Sequence, residues 1–241
     1  MLVTAGATVI TGKKYGHSAL NGAAQNGHVE ILKYLLQQGV SVNAESAPSG
    51  SSPLLIASHK GQLACMQVLL AAGANINRPD CDGGTALYYA ARAKQLAAVN
   101  YLLEQGAAVG CRTCDAETPL SVACRNGHQG VVAALLKAGA QPGMAVSKQT
   151  PLYIAAQGGH VETVELLLAA GADPQEPGAI SLFFGRQSPR HIAQKKRDSA
   201  TDGAEKERYA AIVQRLQQCS IELRCRRRTI VSVTEKTPLL S

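Results

Sequence analysis

The chain has 241 residues and a net charge of +7 at pH 7, with only 4% aromatic residues and no tryptophan. So few aromatic side chains give little support to a base-stacking surface for nucleic acid, and the absence of any apolar run of about 18 residues predicts no membrane span. The charge is uneven, because residues 1–185 carry 11 basic and 11 acidic side chains whereas residues 186–241 carry 13 and 6. Attraction for anionic surfaces is therefore expected mainly in the C-terminal segment.

The N-terminal sequence and the cysteines predict a cytoplasmic or nuclear location. In residues 1–14 the lysines follow the apolar stretch, whereas a signal peptide has its positive charge first. The chain contains seven cysteines, an odd number that does not suggest a disulfide framework. We therefore expect reduced thiols in a reducing compartment.

An internal repeat dominates the sequence. Near-copies of one segment begin 34, 33, 33 and 32 residues apart, at Leu20, Leu54, Leu87, Leu120 and Leu152. Each leucine is followed by alanine, then by a pair of leucines and a closing glycine. A fixed period near 33 residues is typical of helix-pair repeats that bury their apolar faces by stacking on their neighbours. We expect an all-α solenoid with five repeats in residues 18–178.

Each copy carries signals for the start and the end of its helices. Thr150 can cap free N–H groups at a helix start, and Pro151 suits the first helical position. Gly159 can end the first helix in the left-handed conformation. In the third copy Lys94 takes the place of this glycine, which predicts a positive φ at a residue with a Cβ atom.

The repeated T-P-L openings, G-H turns and L-L pairs resemble the ankyrin repeat family over residues 18–174, with a degenerate copy after them. The resemblance implies an all-α ankyrin-repeat solenoid of stacked helix pairs with projecting β-hairpin loops. It also implies a non-catalytic module that binds a protein or peptide along a concave hairpin and inner-helix face. The family's histidine after T-P-L is replaced, so its usual hydrogen bond is expected to be mostly lost. The replacing residues are Asn21, Leu55, Tyr88, Ser121 and Tyr153.

The two ends of the chain depart from the repeat. Gly6 lies 33 residues before Gly39, so residues 1–17 are interpreted as the remnant of a preceding repeat or an N-terminal cap. Residues 179–223 are predicted to form an enlarged hairpin and a degenerate sixth repeat that caps the stack. Because no periodicity remains after Arg226, residues 224–241 are predicted to be a basic, flexible tail.

Position-by-position transfer from the ankyrin family predicts the partner-binding residues. The hairpin tips are Arg78, Asp80, Asp82, Arg112, Asp115 and Glu117. The inner-helix positions are Gln25, Asn26, His59, Lys60, Arg92, Arg125, Asn126 and Gln157. The inner positions are more basic than acidic, which favours a peptide with acidic residues and some basic flanks. The alternative interpretation is that all of these are ordinary solvated charges.

Two further segments are candidate contacts. Phe183 and Phe184 lie in the enlarged hairpin, where they either pack under the capping repeat or form an exposed anchor of the kind enriched in interfaces. A basic cluster, comprising Arg224, Arg226, Arg227 and Arg228, is suited to nuclear import or anionic lipid, whereas the lack of interleaved aromatics argues against nucleic acid.

The C-terminal segment also resembles two short motifs. Residues 220–229 loosely resemble the elongin-binding box of SOCS-box ubiquitin-ligase adaptors, although Ile221 and Thr229 depart from its pattern. Residues 235–240 fit an acidic dileucine sorting signal. The first motif favours a substrate-holding adaptor of a larger enzyme complex as an alternative function, and the basic cluster favours tethering to anionic lipid or nucleic acid as another.

The sequence predicts no catalytic, metal or cofactor site. Cys111 and Cys114 form a single C-x-x-C pair, whereas structural zinc needs four ligands. No pattern places a nucleophile, a base and an orienting acid together, and no glycine-rich phosphate loop is present. We therefore interpret the chain as a protein-interaction module or scaffold and not as an enzyme.

Overall fold

A computed structural model of the chain describes residues 19–45, 48–146, 149–176, 180–181, 185–186 and 188–234, with the backbone alone for 180–181, 185–186 and 224–234. Within these ranges, twelve helices follow one another as pairs. The first helices of the pairs are α1 (Ala19–Asn26), α3 (Pro53–Lys60), α5 (Ala86–Arg92), α7 (Pro119–Arg125), α9 (Pro151–Gly158) and α11 (Pro189–Ser199). The second helices are α2 (Val29–Gln37), α4 (Leu63–Ala71), α6 (Leu96–Glu104), α8 (Gln129–Lys137), α10 (Val161–Ala169) and α12 (Gly203–Thr234).

The predicted helix signals are confirmed. The Thr150 hydroxyl accepts a hydrogen bond from the backbone N–H of Tyr153 at 3.2 Å, which satisfies one of the free donors at the start of α9. Pro151 occupies the first turn. Gly159 ends the helix with φ of 73°, and its N–H bonds back to the last turn. The same Ser or Thr cap begins α3, α5 and α11.

The turn after α5 is confirmed as strained. Lys94 has φ of 60°, in the left-handed region, where the equivalent residues of other copies are glycines. The turn keeps the hydrogen bonds of its counterparts, because the N–H groups of Lys94 and Gln95 bond to Ala91 and Ala90. The repeat therefore imposes this backbone conformation on a residue that does not favour it.

The chain divides into two compact units. Unit 1 comprises the described residues up to 123 together with 130–141. In unit 1, α3 packs against α1 and α5, and α4 packs against α2 and α6. The leucines that define the repeat, such as Leu54 and Leu87, are at most 1% exposed. Burial of these side chains between successive helix pairs explains why the sequence repeats with the period of the stack.

Unit 2 comprises residues 124–129 and those from 142 onward. Here α9 packs against α10 and α11, and α12 packs against α10 and α11. Ile212 and Leu216 of α12 are fully buried. The charged stretch 195–208 extends α11 and begins α12, with only residues 200–202 between the two helices. The sixth pair thus consists of longer helices with polar exposed sides.

The prediction of a flexible tail is wrong for residues 224–234, because α12 continues to Thr234. Extending an existing helix costs much less than nucleating one, and the arginines at 224 and 226–228 favour the helical conformation. A helix can therefore persist where no apolar periodicity remains. Residues 235–241, with the dileucine-like motif, lie outside the described residues, as do residues 1–17.

The loops between helix pairs are mostly turns. Among the described residues, the paired strands are β1 (Ile180–Ser181) and β2 (Gly185–Arg186), which are antiparallel with Ile180 opposite Arg186. An isolated bridge joins Val146 and Gln149. Phe183 and Phe184, between the two strands, lie outside the described residues, so their predicted roles stay predictions.

Replacement of Lys94 tests the strain in the third turn. Lys94→Gly should raise the free energy of unfolding by about 0.5–1 kcal/mol, because relief of the left-handed strain exceeds the entropic cost of glycine. Lys94→Ala removes the same charge but keeps the Cβ atom, so it should give no gain. Urea denaturation measures both variants. Equal gains in the two would assign the effect to charge and contradict the role of φ.

Candidate binding pocket on the first helices of unit 1

A pocket of about 440 Å³ lies beside the first helices of unit 1. It joins residues from three helices and from the loop that precedes α3. Its volume falls in the range of sites that hold small ligands or a few side chains of a partner. The lining residues are Gln25 of α1, Ser49 and Ser51 of the loop, Leu55, Ile56, His59 and Lys60 of α3, and Tyr89 and Arg92 of α5.

Helical spacing places the lining side chains of each helix together. In α3, residues 55 and 56 lie three to five positions before His59 and Lys60, which puts the four on neighbouring parts of the helix surface. Leu55 is buried, Ile56 is partly exposed, and the two polar residues are exposed. Tyr89 and Arg92 are separated by one turn of α5. The pocket therefore combines aliphatic surface with positively charged side chains.

The pocket is electrostatically positive. Lys60 and Arg92 carry its two permanent charges, and none of the lining residues is acidic. The pKa of His59 is lowered below its ordinary value of 6.5, mainly by partial burial and then by the positive charges of Lys60 and Arg92. A hydrogen bond with the backbone of Tyr89 raises this pKa, but by less than the other causes lower it. Since the unfolded chain then takes up a proton more readily than the folded chain, the contribution of His59 to stability falls as the pH drops below 6.5. An anion in the pocket would have the opposite effect on this pKa.

Tyr89 connects the pocket to the hairpin before α5. Its ring meets that of His59 edge to face, with centroids 6.2 Å apart. Its hydroxyl donates to Oδ2 of Asp80 at 2.5 Å. Burial, and then the bond to Asp80, raise the pKa of Tyr89, so this hydroxyl stays a donor. The other oxygen of Asp80 accepts the N–H groups of Asp82 and Gly84 at 3.1 and 2.8 Å. The hairpin is thereby fixed to α5.

The predicted hairpin-tip residues have different environments. Glu117 accepts a hydrogen bond from the Tyr88 hydroxyl at 2.7 Å. Arg78 forms an ion pair with Glu45. The remaining predicted tips are exposed: Asp82, Arg112 and Asp115. Asp80 and Glu117 therefore support the structure directly, whereas the exposed tips are more accessible to a partner.

The residue that follows T-P-L makes side-chain hydrogen bonds in several copies. The prediction that hydrogen bonding at this position is mostly lost is therefore wrong in part. Tyr88 bonds to Glu117 through its hydroxyl. Asn21 donates from Nδ2 to the backbone oxygen of Ser51 at 3.4 Å. Ser121 accepts from and donates to the backbone of Thr118. Asn21, Tyr88 and Ser121 each have a polar side-chain atom that bonds to the loop before the next helix pair or to their own helix start.

The structure brings together only some of the predicted binding residues. Gln25, His59, Lys60 and Arg92 share the pocket. Arg125 and Asn126 are exposed at the end of α7 in unit 2, outside it. The backbone oxygen of Arg125 lies 3.0 Å from Nε2 of His160, consistent with a structural role for that histidine. The basic cluster at residues 224–228 lies on α12, and its side chains are outside the described residues.

Sequence reasoning missed the hydroxyl and apolar parts of the pocket. Ser49, Ser51 and Tyr89 come from a loop and from the next repeat, so only stacking brings them to α3. The adjacent pair Tyr88-Tyr89 could have indicated this surface. Two neighbouring residues of a helix point in different directions, so both tyrosines cannot be buried between the helices. Tyr88 is buried and Tyr89 is partly exposed.

In the described part of the chain, no group of three or more His, Cys, Asp or Glu side chains is arranged to hold a metal ion. The same residues contain no helix that is both long enough and apolar enough to cross a membrane.

Comparison with known proteins identifies the family. Residues 20–113 and 106–177 match the family model described as ankyrin repeats (3 copies). The chain belongs to the ankyrin repeat family. The crystal structure of the human ASB11 ankyrin repeat domain is similar, with a TM-score of 0.69 and 29% sequence identity over 84% of each chain. The predicted all-α ankyrin solenoid is confirmed, and the repeats form a protein-interaction module.

Curated relatives match over shorter segments. Alpha-latrotoxin-Lh1a of Latrodectus hasselti is 36% identical over 78 residues, which are 32% of this chain and 6% of that protein. B-cell lymphoma 3 protein homolog of Mus musculus is 36% identical over 89 residues, 36% of this chain and 20% of that protein. Probable E3 ubiquitin-protein ligase XBOS32 of Oryza sativa subsp. japonica is 38% identical over 76 residues, 31% of this chain and 15% of that protein. The chain thus matches at most a fifth of the length of these relatives.

Replacement of Tyr89 tests the link between hairpin and helix. Tyr89→Phe removes only the hydroxyl that bonds to Asp80, and it should lower the free energy of unfolding by about 1–3 kcal/mol, as expected when a hydrogen bond to a charged group is lost at a partly buried site. Tyr34 is 37% exposed on α2, so Tyr34→Phe serves as the matched control, with a change within about 0.5 kcal/mol. Urea denaturation gives both values. Equal, small changes would show that the bond contributes nothing to stability.

Proposed function

We propose that the chain is a non-catalytic scaffold in the cytoplasm or nucleus, which binds a protein partner along the first helices and hairpins. The pocket of unit 1 is the centre of this surface, and it is the observation that carries the proposal. It joins two permanent positive charges, a histidine and an aliphatic patch from two successive helix pairs. Surfaces that mix accessible apolar area with orienting polar groups are typical of binding sites.

The physical basis of binding is a preformed surface. The backbone of α3 is fixed on both sides by α1 and α5, and Tyr89 is fixed by its bond to Asp80. Residues held in this way lose little conformational freedom when a partner binds, so fewer contacts are needed for a given affinity. A few anchors in the pocket can therefore support binding along the surface.

The charges favour an acidic segment of the partner. Lys60 and Arg92 line the pocket without an acidic neighbour among the lining residues. At the hairpin tips, Asp82 and Asp115 are exposed, and these suit basic residues that flank the acidic segment. Complementary charge of this kind increases the association rate and orients the partner.

Charge reversal in the pocket tests the binding face. Lys60→Glu and Arg92→Glu should each weaken binding by about tenfold or more, because each turns an attraction into a repulsion. Partners captured from a lysate by the full chain are identified by mass spectrometry, and their affinity is then measured for each variant. The melting temperature should not change, since both side chains are exposed.

Two further variants define the extent of the surface. Lys137→Glu reverses an exposed charge on α8 away from the pocket, so it should leave the affinity unchanged. Arg125→Glu tests whether the predicted residue of unit 2 also contacts the partner. If Lys60→Glu and Arg92→Glu lower the melting temperature together with the affinity, the residues are structural and the binding face has been placed wrongly.

A second proposed function is that of a substrate-holding adaptor in a ubiquitin-ligase complex. Two relatives, from Oryza sativa subsp. japonica and from Arabidopsis thaliana, are named as E3 ubiquitin-protein ligases. The segment that resembles an elongin-binding box, residues 220–229, lies within α12. Docking of a helix into a groove is a common means of recruiting a partner.

Removal of residues 224–241 separates these functions. The scaffold function predicts that partners of the pocket remain bound after the deletion, whereas the adaptor function predicts that ligase subunits are lost from the captured proteins. Loss of salt-sensitive binding to anionic vesicles or to nucleic acid would instead assign the basic cluster to tethering. Retention of ligase subunits by the shortened chain would contradict an adaptor role for this segment.

A further inference from the structure

The positive charge of the pocket of unit 1 is too large to be neutralised by a ligand with a single carboxylate. Lys60 and Arg92 are both cationic at neutral pH, and His59 gains a third charge when it takes up a proton. The three side chains line one space of about 440 Å³ that has no acidic lining residue. The nearby carboxylate of Asp80 is bonded to Tyr89 and to two backbone N–H groups of its own hairpin. A ligand with two negative charges matches this site better than one with a single charge.

The uncharged polar groups also suit a ligand with several oxygen atoms. The hydroxyls of Ser49 and Ser51 lie 2.9 Å apart and both line the pocket. Gln25 lines the pocket from α1 with a side-chain amide. A phosphate monoester has three acceptor oxygens and a charge of about −1.5 to −2 at pH 7. The guanidinium of Arg92 can bind two of these oxygens at once, and Lys60 supplies a point charge.

The aliphatic side of the pocket favours a peptide as the source of the phosphate. Leu55 and Ile56 line the same space as the cations. An aliphatic side chain adjacent to a phosphorylated residue can pack on this surface, whereas hydroxyl groups flank the phosphate of an inositol lipid headgroup. The pairing of an anion site with an apolar site therefore favours a protein segment over a membrane.

We propose that the pocket formed by His59, Lys60 and Arg92 with Ser49 and Ser51 recognises a phosphorylated serine or threonine next to an aliphatic residue in a partner protein. This proposal rests on the proposed function of the same surface. It adds that partner binding depends on phosphorylation of the partner.

His59 supplies a site-specific reporter of an occupied pocket. Its pKa is lowered by partial burial and by the charges of Lys60 and Arg92. A bound dianion favours the imidazolium form, so the pKa of His59 should rise on binding. The other groups that line this space are uncharged: Tyr89, Gln25 and the two serines. His59→Gln identifies the His59 signal among the six histidines of the chain by NMR.

The test uses the full chain and three synthetic peptides. They share the sequence acetyl-Gly-Ala-X-Leu-Ala-Gly-amide, in which X is phosphoserine, glutamate or serine. The phosphopeptide should bind at least about fivefold more tightly than the glutamate peptide, because of its additional charge. It should also raise the pKa of His59, and the serine peptide should leave that pKa unchanged. Titrations at pH 7.5, followed by NMR, give the affinities and the location of the shifted signals.

Paired variants separate the pocket from general charge. Lys60→Gln combined with Arg92→Gln should abolish the preference for the phosphopeptide. Lys137→Gln combined with Arg208→Gln removes the same number of charges from exposed positions outside the pocket, and it should retain the preference. Because all four side chains are exposed, each double variant should fold, which its melting temperature verifies.

The possible outcomes distinguish this proposal from the function on which it rests. Equal affinities for the phosphoserine and glutamate peptides overturn phosphate recognition but leave an acid-binding scaffold. A phosphopeptide preference that survives Lys60→Gln with Arg92→Gln overturns the assignment to this pocket. A third outcome is that the chain binds phosphatidylcholine vesicles with 5% phosphatidylinositol 4-phosphate but does not bind the phosphopeptide. If the double variant also loses this vesicle binding, the ligand is a lipid and the peptide proposal is overturned. If no peptide shifts the pocket signals, the proposal is overturned, while the capture experiment decides the function separately.

Discussion

Stacking of each helix pair on the next is the interaction on which the structure depends. An isolated pair of eight- or nine-residue helices such as α3 and α4 is too short to be stable in water. Packing of α3 against α1 and α5 and of α4 against α2 and α6 removes Leu54, Met66 and Leu69 from solvent almost completely. Each buried side chain of this size contributes about 1.5–3 kcal/mol. Most of the stability therefore resides between repeats, and the sequence has to repeat wherever the contact repeats.

The same constraint determines where recognition can occur. Stacking uses the sides of the first helices that meet neighbouring repeats, where Leu54, Ala57 and Ser58 are buried. The ends of those helices and the loops before them remain exposed, as at His59 and Lys60. Residues on this exposed surface can change without loss of the fold, and side chains from successive repeats become neighbours there. The pocket of unit 1 is such a place, since α1, α3 and α5 each contribute to it.

Local features of the fold could be predicted from the sequence, whereas the composition of the pocket could not. The caps at Thr150 and Gly159 and the positive φ of Lys94 depend on a few adjacent residues, so the sequence contains the necessary information. Ser49 and Tyr89 both line the pocket although they are 40 positions apart in the sequence. The repeat period alone does not determine how close two such side chains lie. The helix after residue 223 was missed for a different reason, because helix propagation requires no apolar face once α12 has been nucleated by its buried part.

The bond between Tyr89 and Asp80 shows how fold and recognition share residues. Asp80 was predicted as a contact with the partner, but its carboxylate holds the turn of its own hairpin and the hydroxyl of Tyr89. Tyr89 in turn lies against the ring of His59 in the pocket. A substitution at Asp80 would release the tyrosine and so change the pocket without contacting a ligand. Loss of binding after such a substitution would reflect altered positions of Tyr89 and His59 and would not show that Asp80 contacts the ligand. Direct contacts are better tested at Lys60 and Arg92, because their exposed side chains line the pocket themselves.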